Sequence, residues 1–358
     1  MNAPPLFAAL GALWRPLSAV SVTVALAACS STSPSSTSTE TVAHAPAQTA
    51  PLSSSTHPIK VGIALGGGAA KGFAHIGVIK MLEANGFAPS VVAGTSAGSV
   101  VGALYASGMN AFELQEKAVA LDEAKIRDLQ LSSGGLVLGQ KLEDYVNQQV
   151  RRQPLERMAK PFVAVATRLE DGARTVFSLG NTGQAVRASS SVPGVFQPVT
   201  IGKYHYVDGG VVSPVPVDAA RQLGADVVVA VDISNKARGQ TPTDMLGTLG
   251  QSIAIMGQKL GQAELARADI IVRPQVLDIG AADFTQRANA ILEGEKAALA
   301  AMPQIRERVA QLQAAREKAT HLAQQKEAEA QHHACLEQRS RMQKLTDMVG
   351  LNDACPKP

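Results

Sequence analysis

Cysteine is scarce, and none of it falls where a folded core is expected. Of three cysteines in 358 residues, Cys29 ends an apolar N-terminal stretch, while Cys335 and Cys355 lie near the C-terminus. No CxxC pair occurs, which excludes a thiolate zinc site in the core, and no metal ligand set is expected. Charge is equally sparse. A formal net charge of +3, with basic and acidic residues interspersed, excludes the basic stripe that nucleic-acid binding uses. Histidine is short too: of seven, only His75 and His205 fall within residues 59–295. The N-terminal segment SAVSVTVALAAC falls short of the roughly 20 apolar residues that a comfortable membrane span requires.

What is present at the N-terminus reads as a targeting segment. Arg15 precedes the apolar run, small residues end it, and a Ser/Thr/Pro-rich stretch follows. The tetrapeptide LAAC, residues 26–29, resembles the bacterial lipoprotein signal, in which the cysteine is lipidated and becomes the first residue. The competing readings are a cleaved secretory peptide and an uncleaved anchor helix. Ser30, in place of aspartate, resembles lipoproteins sent to an outer membrane. The resemblance implies a signal peptide over residues 1–28, lipidation at Cys29 and a disordered tether over 29–58. It also implies a location in the bacterial cell envelope, lipid-anchored to the outer membrane and facing the periplasm. Oxidising surroundings there would permit Cys335 and Cys355 to pair.

Residues 59–295 read as a single α/β unit. IKVGIAL is a short strand, followed by the glycine run GGGAAKG and a helical pattern that stops at Gly86. PSVVAGT supplies a second strand, and a second helix ends at Gly108. A hairpin with its turn at residues 170–172, two short strands ending near Asp208, and the apolar runs ADVVVAVDIS and ADIIVRPQV complete the set. This rhythm predicts a three-layer sandwich with a mostly parallel central sheet flanked by helices. Residues 111–160 are more charged and irregular, and read either as a lid or as a fixed surface segment. Residues 296–358 turn to Ala, Glu, Gln, Lys and Arg and predict a helical C-terminal extension. That extension reads first as a packed appendage and second as a partner-binding coiled coil.

Two motifs carry chemistry. Residues 94–98, Gly-Thr-Ser-Ala-Gly, fit G-x-S-x-G, in which Ser96 occupies a sharp strand-to-helix turn and Gly94 and Gly98 leave room for it. The alternative is a helix N-cap beside tight packing. Residues 66–72, GGGAAKG, offer backbone N–H donors at a helix start, suited to an oxyanion. A Walker loop fails because Lys71 is followed by Gly72, and a GxGxxG fails at Lys71 or at Ala69. Lys71 either holds the loop or meets an anionic headgroup, against the alternative of a solvated lysine. For the base, His205 with an acid such as Asp171 would form a triad. Asp208 before a glycine pair is another solution, and its plain alternative is a turn aspartate.

GGGAAKGFAHIGVI, AGTSAGS, ASSSVPGVFQPV and YVDGG, in this order, resemble the patatin-like phospholipase family, and its bacterial branch in particular. The resemblance covers about residues 59–234. It implies hydrolysis by a Ser-Asp dyad without histidine, with Ser96 as nucleophile and Asp208 as base. It also implies an oxyanion hole from Gly67 and Gly68, Lys71 where arginine is usual, and Ala69 where many members carry a third glycine. His75 and His205 then take structural or rim roles. The expected activity is acyl hydrolysis of phospholipids or related lipids, without a cofactor, with membrane lipids as substrate and anchor. The alternative is a catalytically silent lipid-binding or adaptor protein on the same fold, with a protein partner at the C-terminal extension.

Overall fold

The computed structural model describes residues 57–122, 126, 128–132, 135–234 and 243–346. The expected signal peptide, Cys29 and nearly all of the tether lie outside the described residues, as does Cys355. Cys335 is disulfide-bonded.

Five strands run parallel in the order β10-β9-β1-β2-β5: β1 (Val61–Leu65), β2 (Val91–Thr95), β5 (Phe162–Arg168), β9 (Val227–Val231) and β10 (Ile270–Val272). The expected mostly parallel sheet is therefore present. Its interior strands read as continuous apolar runs because both faces are covered. Alternation assigns the faces. Ile63, Leu65, Val92, Phe162, Ala164, Val229 and Val231 pack into one core with a thick helical layer. Ala64, Val91, Ala93, Val163, Val165, Val228 and Ala230 pack into a second, thinner core with residues 215–220 and Leu265. Each of the Val, Leu, Ile and Phe side chains among these, once removed from water, contributes roughly 1.5–3 kcal/mol.

The thick layer contains α1 (Ala74–Ala84), α2 (Ala97–Ala106), α3 (Ala111–Val119), α4 (Gln140–Gln149), α5 (Thr182–Ser189) and the first turns of α8 (Arg287–Thr346). Between α3 and α4, the expected irregular stretch holds a small antiparallel pair, β3 (Leu129–Ser132) and β4 (Gly135–Val137). The thin layer contains α6 (Val217–Gln222) and the end of α7 (Met245–Leu265). Helix α7 has no counterpart in the sequence reading, because its 21 residues carry neither a regular apolar stripe nor a charge pattern.

The helical extension is continuous with the core. Helix α8 begins at Arg287 and runs through residue 295 without a break. Ala290, Ile291, Ala298, Met302 and Ile305 are buried on it. It crosses α1 backbone against backbone: a Cβ at Gly77 would lie 2.0 Å from the Ile291 carbonyl oxygen, and one at Gly294 would lie 2.0 Å from that of Ala74. Lys80 pairs with Glu295 (2.8 Å) at the rim of this crossing. Beyond Ile305 the helix is mostly exposed, tied down by Arg308 to Asp269 (3.0 Å) and by Arg316 to Asp226.

The other end of the sheet places the site. Strand β6 (Arg174–Phe177) pairs antiparallel with β5, as the expected hairpin, and β7 (Val199–Ile201) and β8 (Tyr204–Asp208) extend the sheet. Ala164 of β5 lies between Gly94 of β2 and Phe177 of β6, and Ala166 lies between Asp208 of β8 and Thr175 of β6. Strands β2 and β8 therefore share the edge of β5 opposite β6. One runs parallel to β5 and the other antiparallel, so their C-terminal ends meet head to head. Ser96 follows the end of the first strand, and Asp208 is the end of the second.

Candidate active site

The turn that carries Ser96 is built from close approach as much as from freedom of rotation. A Cβ at Gly98 would lie 2.1 Å from the Leu65 carbonyl oxygen, and one at Gly94 would lie 2.5 Å from both the Gly98 oxygen and the Ser99 Cα. Only glycine lets α2 start this near the ends of β1 and β2. Neither glycine carries the positive φ; Ser96 itself does, with φ 53° and ψ −125°. A non-glycine residue held there stores strain of roughly 1–3 kcal/mol, which the surroundings must hold in place. The holding contacts are visible. The Ser96 N–H donates to Ser189 Oγ (2.9 Å), whose own hydroxyl donates to the Val165 carbonyl (2.6 Å). The Ser96 carbonyl accepts from Ser99 Oγ (2.7 Å).

Across the meeting point of the strands, Ser96 Oγ donates to Asp208 Oδ2 at 2.5 Å. Both side chains are nearly buried, at 7% and 6% exposure. Asp208 is fixed on every side. Its Oδ1 accepts from the Gly210 N–H (2.6 Å), its N–H donates to the Ser191 carbonyl (2.8 Å), and its carbonyl accepts from Thr167 Oγ1 (2.8 Å). Burial pushes the Asp208 carboxyl up to about 6, against the pull of the Ser96 and Gly210 donors. The glycine after it is another close approach, since a Cβ at Gly209 would lie 2.1 Å from the Val165 oxygen.

The glycine-rich loop passes beside the serine: a Cβ at Gly67 would lie 3.2 Å from Ser96 Cβ. Its amides divide into two groups. The Gly66 N–H donates to the Val231 carbonyl (3.1 Å) and the Gly67 N–H to the Pro214 carbonyl (3.0 Å). Among the described residues the N–H groups of Gly68 and Ala69 have no acceptor. The expectation that Gly67 donates to an oxyanion therefore meets an amide already engaged inside the fold, while among the described residues the Gly68 and Ala69 amides have no such engagement. Ala69 holds φ 53°, a left-handed conformation. Gly68 packs so closely that a Cβ would lie 2.7 Å from the Ile233 oxygen. Lys71 is buried, at 1% exposure, which removes the solvated alternative.

Neither core histidine reaches the dyad through any hydrogen bond. The His75 ring is fully buried and its Nε2 donates to the Gly66 carbonyl (2.8 Å), with Nδ1 unpartnered. Burial lowers its pKa to about 4, so it stays neutral and braces the glycine loop. His205 is exposed and bonds Glu170 (2.8 Å) through Nδ1. Asp171, the other member of the conceivable triad, is paired with Arg168 on the surface (2.5 Å). Sequence reasoning gave no role to Ser189 and Ser191, although their run of serines lay inside a quoted motif. The contacts by which they hold Ser96 and Asp208 reach across 17 to 93 positions, which no local pattern encodes.

Residues 63–221 match the patatin-like phospholipase family. An uncharacterized NTE family protein of Mycobacterium tuberculosis is 34% identical over 182 residues, covering 50% of this chain and 51% of that one. The human patatin-like phospholipase domain-containing protein 6 is 31% identical over 202 residues, covering 54% of this chain and 14% of its own length. Lysophospholipase NTE1 of Pyricularia oryzae is 30% identical over 209 residues, again 54% and 14%. The chain thus spans about half the length of its mycobacterial relative and a small part of the eukaryotic ones. The matched segment, residues 63–221, contains the glycine loop, Ser96 and Asp208, and over that segment the chain is similar to the patatin-like phospholipase family.

Proposed function

We propose that the protein is a serine acyl hydrolase that cleaves carboxylic ester bonds of phospholipids or related lipids through Ser96 and Asp208. The observation that carries this reading is the 2.5 Å hydrogen bond from Ser96 Oγ to Asp208 Oδ2, with the other carboxylate oxygen already held by Gly210. As Ser96 Oγ attacks the ester carbonyl carbon, Asp208 Oδ2 takes its proton. The carbonyl oxygen becomes an oxyanion and receives the N–H groups of Gly68 and Ala69. Collapse of the tetrahedral intermediate expels the alcohol or lysophospholipid, which takes the proton back from Asp208. Water then attacks the acyl-serine by the same route, with Asp208 as base, and the fatty acid leaves. A carboxyl raised to about 6 is a stronger base than an exposed aspartate and is still ionised at neutral pH.

Two observations support lipid as the substrate class. The relative from Pyricularia oryzae is named a lysophospholipase. Beside the dyad, α7 lies against Gly210 at Gly257 and leaves Leu249, Ile255, Met256 and Leu260 exposed. Lipid attachment at Cys29, with the tether holding the folded unit near an outer-membrane surface, completes the reading and rests on the sequence alone.

The test is mass-spectrometric profiling of products released from a mixed lipid extract by the wild type and by Ser96→Ala, Asp208→Ala and His205→Ala. Fatty acid release by the wild type and by His205→Ala, lost in the other two while they stay folded, is the expected result. Retained turnover in Ser96→Ala refutes the serine mechanism, and a loss in His205→Ala equal to that in Ser96→Ala favours a triad. Folded wild-type protein that neither turns over nor reacts with a fluorophosphonate is instead a lipid-binding or adaptor protein.

A further inference from the structure

The thin layer beneath the sheet holds one carboxyl that the reaction above does not use. Glu264, in the last turn of α7, is 5% exposed and sits beside Leu265, Val215 and Val217. A carboxyl in such a layer is costly unless its oxygens are satisfied. Both are: Ser213 Oγ donates to Oε1, and the Val215 N–H donates to Oε2 at 2.8 Å. The two donors come from a single tract, residues 213–215.

The opposite side of that tract faces the dyad. The Ser213 carbonyl accepts from Thr95 Oγ1 (2.8 Å), one residue before the nucleophile. The Pro214 carbonyl accepts from the Gly67 N–H (3.0 Å), one residue before the first free loop amide. Gly261, one turn before Glu264 on α7, packs against Pro214, where a Cβ would lie 3.4 Å from its Cγ. Two loops far apart in sequence therefore take their mutual position from consecutive carbonyls, and α7 holds the segment that bears them.

We infer that Glu264 is a positioning residue: it fixes residues 213–215 and thereby sets the distance between Ser96 and the amides of Gly68 and Ala69. The inference rests on the reaction proposed above. Its physical lever is that a displacement of about 1 Å between reacting groups costs on the order of a hundredfold in rate, while substrate binding elsewhere is untouched. Glutamine preserves the arrangement, because its Oε1 accepts from the Val215 N–H and its amide donates to a Ser213 hydroxyl turned to accept. Leucine strands both partners.

The experiment compares wild type, Glu264→Gln, Glu264→Leu and Ser213→Ala in steady-state hydrolysis of a soluble short-chain ester and in hydrogen–deuterium exchange. In Glu264→Leu, kcat is expected to fall about 10- to 100-fold with KM little changed, by the loss of alignment described. Exchange should quicken at residues 66–70 and 95–99 but not along α1. Glu264→Gln should restore kcat and protection together. Ser213→Ala, which keeps the Val215 contact and all backbone carbonyls, should fall between them, and it decides the matter if the leucine variant does not fold. Unchanged kcat and unchanged exchange in these variants overturn the inference. So does a loss of activity that only follows the unfolded fraction, or one that glutamine does not rescue. If the wild type itself hydrolyses no ester, the function fails, and the exchange data still decide whether Glu264 aligns the two loops.

Discussion

The buried dyad makes a specific pH dependence unavoidable. In the proposed reaction Asp208 must be ionised to accept the Ser96 proton, and burial raises its pKa from 3.8 to about 6. One pH unit below that value only about 9% of the carboxyl remains ionised, so kcat/KM at pH 5 should be about a tenth of its plateau near pH 8, falling a further tenfold per unit below. An exposed aspartate of ordinary pKa, about 3.9, would still be more than about 90% ionised at pH 5 and give a nearly flat profile. The assay is kcat/KM on an uncharged, water-soluble short-chain ester, so that neither substrate ionisation nor an interface contributes. Glu264 is a second buried carboxyl, raised by burial to about 7. Repeating the profile in Glu264→Gln removes that titration, and the acid limb near 6 should survive. A profile that stays flat from pH 8 to 5 would refute the argument that desolvation sets the strength of this base.

The same burial governs stability. Folding raises the Asp208 pKa, so the folded state binds this proton more tightly than the unfolded chain. Stability contributed by the group is present below pH 4 and is lost as pH rises through about 6, a penalty on the order of 3 kcal/mol above that point. Asp208→Asn should therefore raise the unfolding free energy by about 1–3 kcal/mol at pH 8, with the gain vanishing toward pH 4; a gain of equal size at both pH values in urea titrations would contradict this. Ser189→Ala removes the acceptor of the buried Ser96 N–H and should cost about 1–3 kcal/mol, with kcat falling more than KM rises. An unchanged kcat would show that the strained serine needs no such brace. Cells fed labelled palmitate should incorporate it into the wild type and not into Cys29→Ala, and label retained by that variant would place any acylation elsewhere.

The local features were legible because they repeat along the chain. The apolar runs of β1, β2 and β9, the glycine stops at Gly86 and Gly108, and the hairpin turn before β6 all follow from side-chain periodicity and backbone freedom. Helix α7 left no such trace, since its face is neither uniformly apolar nor regularly charged. The glycines of the nucleophile motif were recognisable as a pattern. Their reason was not, because the groups they make room for, such as the Leu65 carbonyl, belong to another strand.

By itself the sequence singled out the candidate residues: a serine between glycines, a glycine-rich turn before a helix, and an aspartate before a glycine pair. Only the tertiary structure decided how they meet. That β8 runs against β5 and ends head to head with β2 brings Ser96 and Asp208, 112 residues apart, to 2.5 Å. The Pro214 carbonyl takes the Gly67 amide, while among the described residues those of Gly68 and Ala69 have no acceptor. Strand direction and the partner of each backbone amide are settled by contacts between distant segments, and the identity of the residues that make them does not fix which amide is left over.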